Sequence, residues 1–357
     1  MGAAACLAEF RETAETQNRK GVRKMRLKKS IIIPFFFMAL AWLLPGCASS
    51  ALRLQQPQIK EVDNHLEEWQ RELSQDRELS AINAKGIRGL SVQKDGETIF
   101  AVSYEPREGK QSFDYWDISI PYHSQVSVNT EELYDLLGTA ALLGFEDAGE
   151  ISFEDAGISG STTSIFLAYN QEQGSEDKGS AQPTAARTIL IGREDGQGHY
   201  YAAYKGLEQV MLVDQSLVDL ILNLEPYQYI LKIPALVSVD TVEKVQILYE
   251  KEQHIMEQGQ KIWKMDGKEV SQEDFHACYG ELLDVLLTGE QQQAAEEERT
   301  PALTVQYIRN EEQLSDIEIK YYPYDEKSMS VSVNGEEYFL VDKKNVQTLL
   351  KNIDKWF

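Results

Sequence analysis

The residues in this chain that could do chemistry are few in kind. Three cysteines occur, Cys6, Cys47 and Cys278. Ser91-Val-Gln-Lys94 has the Ser-x-x-Lys spacing in which a lysine activates a serine nucleophile for acyl transfer, and Ser127-Val-Asn129 and Ser332-Val-Asn334 have the accompanying Ser-x-Asn spacing. The Lys-Thr-Gly that completes that set is missing, and Ser91 falls on a predicted strand rather than at a helix start. The histidines, at 65, 123, 199, 254 and 276, show no His-Glu-x-x-His and no paired spacing for zinc. No Gly-x-Ser-x-Gly, Walker loop or Gly-x-Gly-x-x-Gly is present, so the sequence offers no nucleophile elbow and no cofactor site. Carboxylates are too abundant for any pair to single itself out for glycoside hydrolysis. Tyr200, Tyr201 and Tyr204, with Tyr321, Tyr322 and Tyr324, alternate along strand-like segments and suit either cross-strand packing or stacking on a sugar or partner.

Cys47 has the most telling surroundings. Ile31 to Leu44 is fourteen residues without charge, preceded by Arg23, Lys24, Arg26, Lys28 and Lys29. As a helix it spans about 21 Å, short of a hydrocarbon core of about 30 Å. A basic flank, a short apolar run and small residues form a secretory signal pattern. Its end, Leu44-Pro45-Gly46-Cys47, resembles the lipobox of bacterial lipoproteins. That resemblance implies cleavage between Gly46 and Cys47 and a diacylglyceryl group on the Cys47 sulfur, with palmitate-type acyl chains as the anchor. At about 0.8 kcal/mol per buried methylene, two or three chains hold a protein stably. The alternative is an uncleaved, tilted anchor; either reading puts the remainder outside the cytoplasm. Met25-Arg-Leu-Lys-Lys is a fitting start for such a signal. The expectation is that translation begins at Met25 and that residues 1–24 are not made; Lys20-Gly21-Val22 could encode a ribosome-binding sequence ahead of it.

From Cys47 onward there are 311 residues with 27 basic and 55 acidic side chains, a net charge of −28. That balance argues against nucleic acid, whose binding needs lysine and arginine at phosphates, and against anionic lipid surfaces. With Cys6 untranslated and Cys47 acylated, Cys278 has no cysteine to pair with. It lies on a helical apolar pattern with Phe275, Leu282 and Val285, which predicts a buried, inert thiol.

The elements that must position these residues repeat. Ile87-Arg-Gly-Leu90-Ser-Val92 matches Val242-Glu-Lys-Val245-Gln-Ile247, and each is followed by a short tryptophan strand, at Trp116 and Trp263. Capped helices come next, with Asn129 and Glu132, and Ser271 and Asp274, at capping-box spacing. TTSIFLAYN (162–170) then corresponds to ALTVQYIRN (302–310), and Leu212-Val213-Asp214 to Leu340-Val341-Asp342, each a strand turning into a helix N-cap. Two low-complexity stretches, 170–183 and 289–299, interrupt the pattern. The expected organisation is a signal peptide at 25–46, a tether at 47–60, a leading helix within 61–85, and two halves at 86–233 and 234–357. The fold class is α+β: two tandem pseudo-repeats of antiparallel strands with capped amphipathic helices on the sheet. The C-terminal Trp356-Phe357 is expected to dock the last helix.

The order of tryptophan strand, capped helix, Ile-Gly…Tyr-Tyr hairpin and Leu-Val-Asp strand–helix resembles a bacterial domain-of-unknown-function family, number 4340. The stretch TILIGREDGQGHYYAAYKGLEQVMLVDQSLVDLIL carries the likeness most specifically, FEDAGIS (153–159) resembles the family's lead-in, and the match runs over about 86–353. The resemblance implies a membrane-anchored, extracytoplasmic protein associated with gliding-motility-type ABC transporter components, and it brings no catalytic residues. The expected function is therefore a non-enzymatic accessory or binding component of a membrane complex. The alternatives are a cell-envelope hydrolase using carboxylates between the halves, and a wall-glycan-binding module using the tyrosines.

Overall fold

The computed structural model describes residues 65–76, 82–106, 115–123, 125–170, 182–259, 261–292, 299–310 and 314–357. Gly46 and Cys47, the expected signal segment and tether at 25–60, and most of both low-complexity stretches lie outside the described residues. Helix α1 (Leu66–Glu72) comes first, followed by β1 (Ile87–Lys94), β2 (Glu97–Tyr104), β3 (Trp116–Ile120), α2 (Thr130–Ala141), β4 (Phe145–Asp147), β5 (Ser164–Tyr169), β6 (Ala185–Glu194), β7 (His199–Tyr204), β8 (Met211–Asp214) and α3 (Gln215–Leu222). The strands pair antiparallel in one sheet, ordered β3-β2-β1-β5-β6-β7-β8-β4.

A second sheet follows: β9 (Val242–Tyr249), β10 (Glu252–Gly259), β11 (Ile262–Met265), β12 (Lys268–Val270), α4 (Gln272–Leu283), β13 (Leu287–Glu290), β14 (Leu303–Arg309), β15 (Ile317–Pro323), β16 (Ser328–Val333), β17 (Glu336–Asp342) and α5 (Lys343–Trp356). Its order is β12-β11-β10-β9-β14-β15-β16-β17-β13, the order of the first sheet with the edge strand β12 added. The fold is α+β with two antiparallel sheets.

Local chemistry explains where three of the helices begin. Asp214 accepts from the Leu217 amide and starts α3, Asp342 accepts from Lys344 and starts α5, and Ser271 accepts from Asp274 and starts α4. Asn129 departs from the pattern: its side chain makes no cap bond, and its backbone N–H donates instead to the Tyr229 carbonyl at 2.8 Å. The turns Asp95-Gly96 and Asn334-Gly335 have positive φ at both positions, as two-residue hairpins of the right twist require.

One apolar core runs through both halves. Leu90 and Val92 point into it from β1, Val305 and Tyr307 from β14, and the apolar faces of α2, α3, α4 and α5 close over them. Val346, Leu349 and Ile353, at spacings of three and four, bury the inner face of α5. Each such side chain contributes about 1.5–3 kcal/mol by leaving water. Trp356 donates to Glu281 at 3.2 Å and Phe357 stacks on His254 at 4.4 Å between ring centres, so the C-terminus is docked.

The helical stretch expected within 61–85 is shorter than its composition suggests. α1 ends at Glu72, and Ser74 to Asp76 run extended along the part of β6 that β7 does not reach. There Asp76 N–H donates to the Ala186 carbonyl at 2.8 Å and Ala186 N–H to that of Ser74 at 3.1 Å. Tertiary pairing outweighs helix propensity at that point. Leu66 and Trp69 of α1 pack on Ala101, Phe166, Ala168 and Ala186, residues that alternate with core positions and so occupy the sheet's opposite face. Gly89 lies beneath them, where a Cβ would approach Leu66 Cδ1 to 2.6 Å. The segment is latched by a buried ion pair, Arg187 to Asp76 at 2.8 Å, with the Tyr169 hydroxyl donating to the same carboxylate oxygen at 2.7 Å.

Candidate functional site at the junction of the halves

The chain between the halves is stitched to both. Val128 bridges to Ile230, Leu231 N–H donates to the Ser127 carbonyl at 2.8 Å, and Leu287 N–H donates to Lys232 at 2.9 Å. The Ser127 hydroxyl accepts from Leu236 N–H at 3.0 Å. Beside this seam lies a cavity of about 250 Å³ lined by Pro121, Tyr122, Glu290, Gln291, Gln292, Glu337 and Tyr338. The turn after β3 supplies one wall, and the ends of β13 and β17 supply the other.

Tyr122 is 1 % exposed, and its hydroxyl donates to Glu290 Oε1 at 2.7 Å. Its ring meets that of Tyr338 edge-on at 5.5 Å and that of Phe339 at 5.1 Å. The Tyr338 hydroxyl donates to Glu336 Oε2 at 2.9 Å and lies 2.9 Å from His123 Nδ1. His123 holds a φ of 45°, in the left-handed region, and its ring is mostly exposed beside Tyr338. Arg299 Nη2 donates to both carboxylate oxygens of Glu337, at 2.8 and 2.6 Å. Arg299 also donates to Ser330 Oγ at 3.1 Å and lies over the Tyr322 ring at 4.7 Å. Lys232 donates to the Ile230 carbonyl at 3.2 Å and sits 3.8 Å above the centre of the Tyr227 ring.

Burial sets the protonation of these groups. It raises the Tyr122 phenol, with the adjacent Glu290 raising it further, and likewise Tyr338, where Glu336 adds to the effect. Burial lowers Lys232, against the pull of Glu290 and Glu132. The phenols are thus hydrogen-bond donors at neutral pH rather than nucleophiles. Both pocket carboxylates already have partners, so the arrangement is built to hold hydrogen-bonding groups in position.

The residues singled out in the sequence fall elsewhere or play other parts. Ser91 is buried mid-strand, and Lys94 donates to Asn223 Oδ1 at 2.7 Å and to the Leu222 carbonyl at 3.3 Å, capping the C-terminus of α3. Among the tyrosines, Tyr204 and Tyr321 are buried, Tyr200 donates to Asp219 at 2.9 Å, Arg193 lies over Tyr201 at 5.2 Å, and Tyr322 and Tyr324 are half-buried. Trp116 is in the core, with Trp263 packed against it. Cys278 is 1 % exposed and its thiol is pushed up to about 12 by burial. His65 stacks on Trp69, and His254 meets Asp266 at 2.8 Å. Among the described residues no group of three histidine, cysteine or acidic side chains could hold a metal ion, and no helix is long and apolar enough to cross a membrane.

Sequence reasoning missed Tyr122, His123, Glu290, Gln291, Gln292 and Tyr338. The signal nearest to them was Pro121-Tyr122-His123, three residues of unlike character between a strand and a capped helix. Fold and site together define a two-sheet α+β protein with a small polar–aromatic cavity where its halves meet. Comparison with known proteins returned no matching family model, no matching curated sequence and no matching solved structure.

Proposed function

We propose that the chain is a lipid-anchored, extracytoplasmic protein that recognises rather than transforms, acting as an accessory or binding component of a membrane complex such as an ABC transporter. The observation that carries the reading is the state of the junction: each of its carboxylates and phenols is held by a neighbour, Glu290 by Tyr122, Glu337 by Arg299, and Tyr338 by Glu336. A general acid or nucleophile has to be available to a substrate. Pre-positioned hydrogen-bonding groups suit binding.

The lipobox at Gly46-Cys47 supplies the anchor in this reading. The eighteen residues from Cys47 to the first described residue, His65, allow the body a reach of at most about 60 Å from the membrane surface. The strand order shared by the two sheets supports reading the halves as tandem copies of one unit.

The test is a cross-linked pull-down from membranes, with Cys47→Ala as the unanchored control. Transporter subunits recovered with the anchored form alone are the expected result. Recovery of nothing specific with either form overturns the accessory reading.

A further inference from the structure

We infer that the junction cavity is a subsite for one uncharged sugar ring. The inference rests on the recognition reading of the same site and adds the class of its ligand.

Size comes first. At about 250 Å³ the cavity is smaller than the range of about 300–1,000 Å³ that takes drug-sized molecules. It admits one ring with its substituents.

Its lining has two characters. Pro121 and the half-buried Tyr338 ring give apolar and aromatic surface, and the electron-rich ring face attracts the polarised C–H bonds of a pyranose. Glu290, Gln291, Gln292 and Glu337 present planar carboxylates and amides, which between them accept from and donate to hydroxyl groups. A sugar ring is one of the few small ligands that offers an apolar face and a belt of hydroxyls together.

Charge then separates neutral from ionic ligands. Glu337 is neutralised by Arg299, Glu290 acts on both the Tyr122 hydroxyl and Lys232, and Glu336 faces His123 at 3.5 Å. A cation would have to displace Arg299 or Lys232, and an anion would meet Glu290 and Glu337. Burying either without a free counter-charge is costly. An uncharged polyol uses the same carboxylates as acceptors and leaves the existing pairs intact.

The geometry is also held before any ligand arrives. Both walls are tied to the linker through the Val128–Ile230 bridge and the Leu287–Lys232 bond, and Asn334 donates to Gln125 at 2.9 Å across the seam. Pre-organisation of this kind lowers the ordering cost of binding.

The experiment uses the full chain in detergent with four probes: methyl β-N-acetylglucosaminide and methyl glucoside as uncharged rings, glucosamine as a cation, and glucuronate as an anion. Saturation-transfer NMR and calorimetry report binding. The uncharged probes are expected to bind and the charged ones to bind more weakly. Gln292→Ala, at an exposed position, and Tyr338→Ala should each weaken the uncharged probes by about tenfold or more. The Gln292→Ala midpoint of thermal unfolding should match the wild type, which separates loss of the site from loss of the fold. Failure of both uncharged probes, tighter binding of either charged probe, or wild-type binding by both variants overturns the inference and leaves the accessory reading standing. Release of methanol from the bound glycoside would overturn the recognition reading while leaving ring binding in place.

Discussion

Replacing Asp76 by alanine should remove the latch that holds the leading segment on the first sheet. The Asp76 carboxylate is 1 % exposed and meets Arg187, 8 % exposed, at 2.8 Å. The change leaves the guanidinium buried without this carboxylate, although the Tyr169 and Tyr204 rings still flank it at 5.7 and 5.1 Å. It also takes the acceptor from the Tyr169 hydroxyl, whose bond to Asp76 is buried. Removing one partner of a buried pair costs about 3–5 kcal/mol, a large share of the total stability of about 5–15 kcal/mol usual for a folded protein. Two measurements check this. Urea unfolding gives the global cost, and hydrogen exchange at the Asp76 and Ala186 amides, which pair across the strap, reads local release directly. Asp76→Asn keeps an acceptor for Tyr169 but not the charge, so it should recover only part of the loss. The double change Asp76→Leu with Arg187→Met should recover the share due to buried charge, because an apolar pair requires no desolvation of charge, and should leave the share due to the lost acceptor of Tyr169. A cost below about 1 kcal/mol for Asp76→Ala, with unchanged protection at both amides, would refute the latch, since exposed ion pairs behave that way.

Three further outcomes follow from particular residues. Glu105 is buried, and burial raises its carboxyl above the ordinary range, with Asp117 adding to the effect and Ser103 and His65 opposing it. A raised folded-state value means that protonation stabilises the fold: the contribution is present below the ordinary carboxylate range and is lost as pH rises through the raised value. Glu105→Gln should therefore unfold at a higher temperature than wild type at neutral pH, with the difference fading in acid; equal midpoints at neutral pH would contradict this. Cys278, with its thiol pushed up to about 12, should resist maleimide in the folded protein and react fully in urea, as read at its own peptide by mass spectrometry. Ser271→Ala should cost about 1 kcal/mol by removing an observed cap, whereas Asn129→Ala, which removes none, should cost only a few tenths.

The success and failure of sequence reading divide by distance along the chain. Asp214, Ser271 and Asp342 cap helices through amides two or three residues away, so Leu-Val-Asp and Ser-x-x-Asp could be read as strand-to-helix turns before any fold was known. Asn129 carries the same local signature, yet the seam claimed its backbone for Tyr229, a partner no local pattern names. The leading helix shows the same override, because its last residues found a vacant length of β6 and extended to meet it.

By itself, then, the sequence determined the α+β class, the caps at Asp214, Ser271 and Asp342 and the buried setting of Cys278, since these follow from periodicity and from bonds within a turn or two. It also carries Leu44-Pro45-Gly46-Cys47, the run of adjacent residues on which the proposed anchor rests. The tertiary structure alone decided the junction and the latch. His123 and Tyr338 are 215 residues apart, and Asp76 and Arg187 are 111 apart. Their neighbours in sequence carry no mark of the meeting. The first pair exists because two sheets of one strand order share a core and a stitched linker, which brings the ends of β13 and β17 against the turn after β3; the second exists because Ser74 to Asp76 run along β6 of the first sheet.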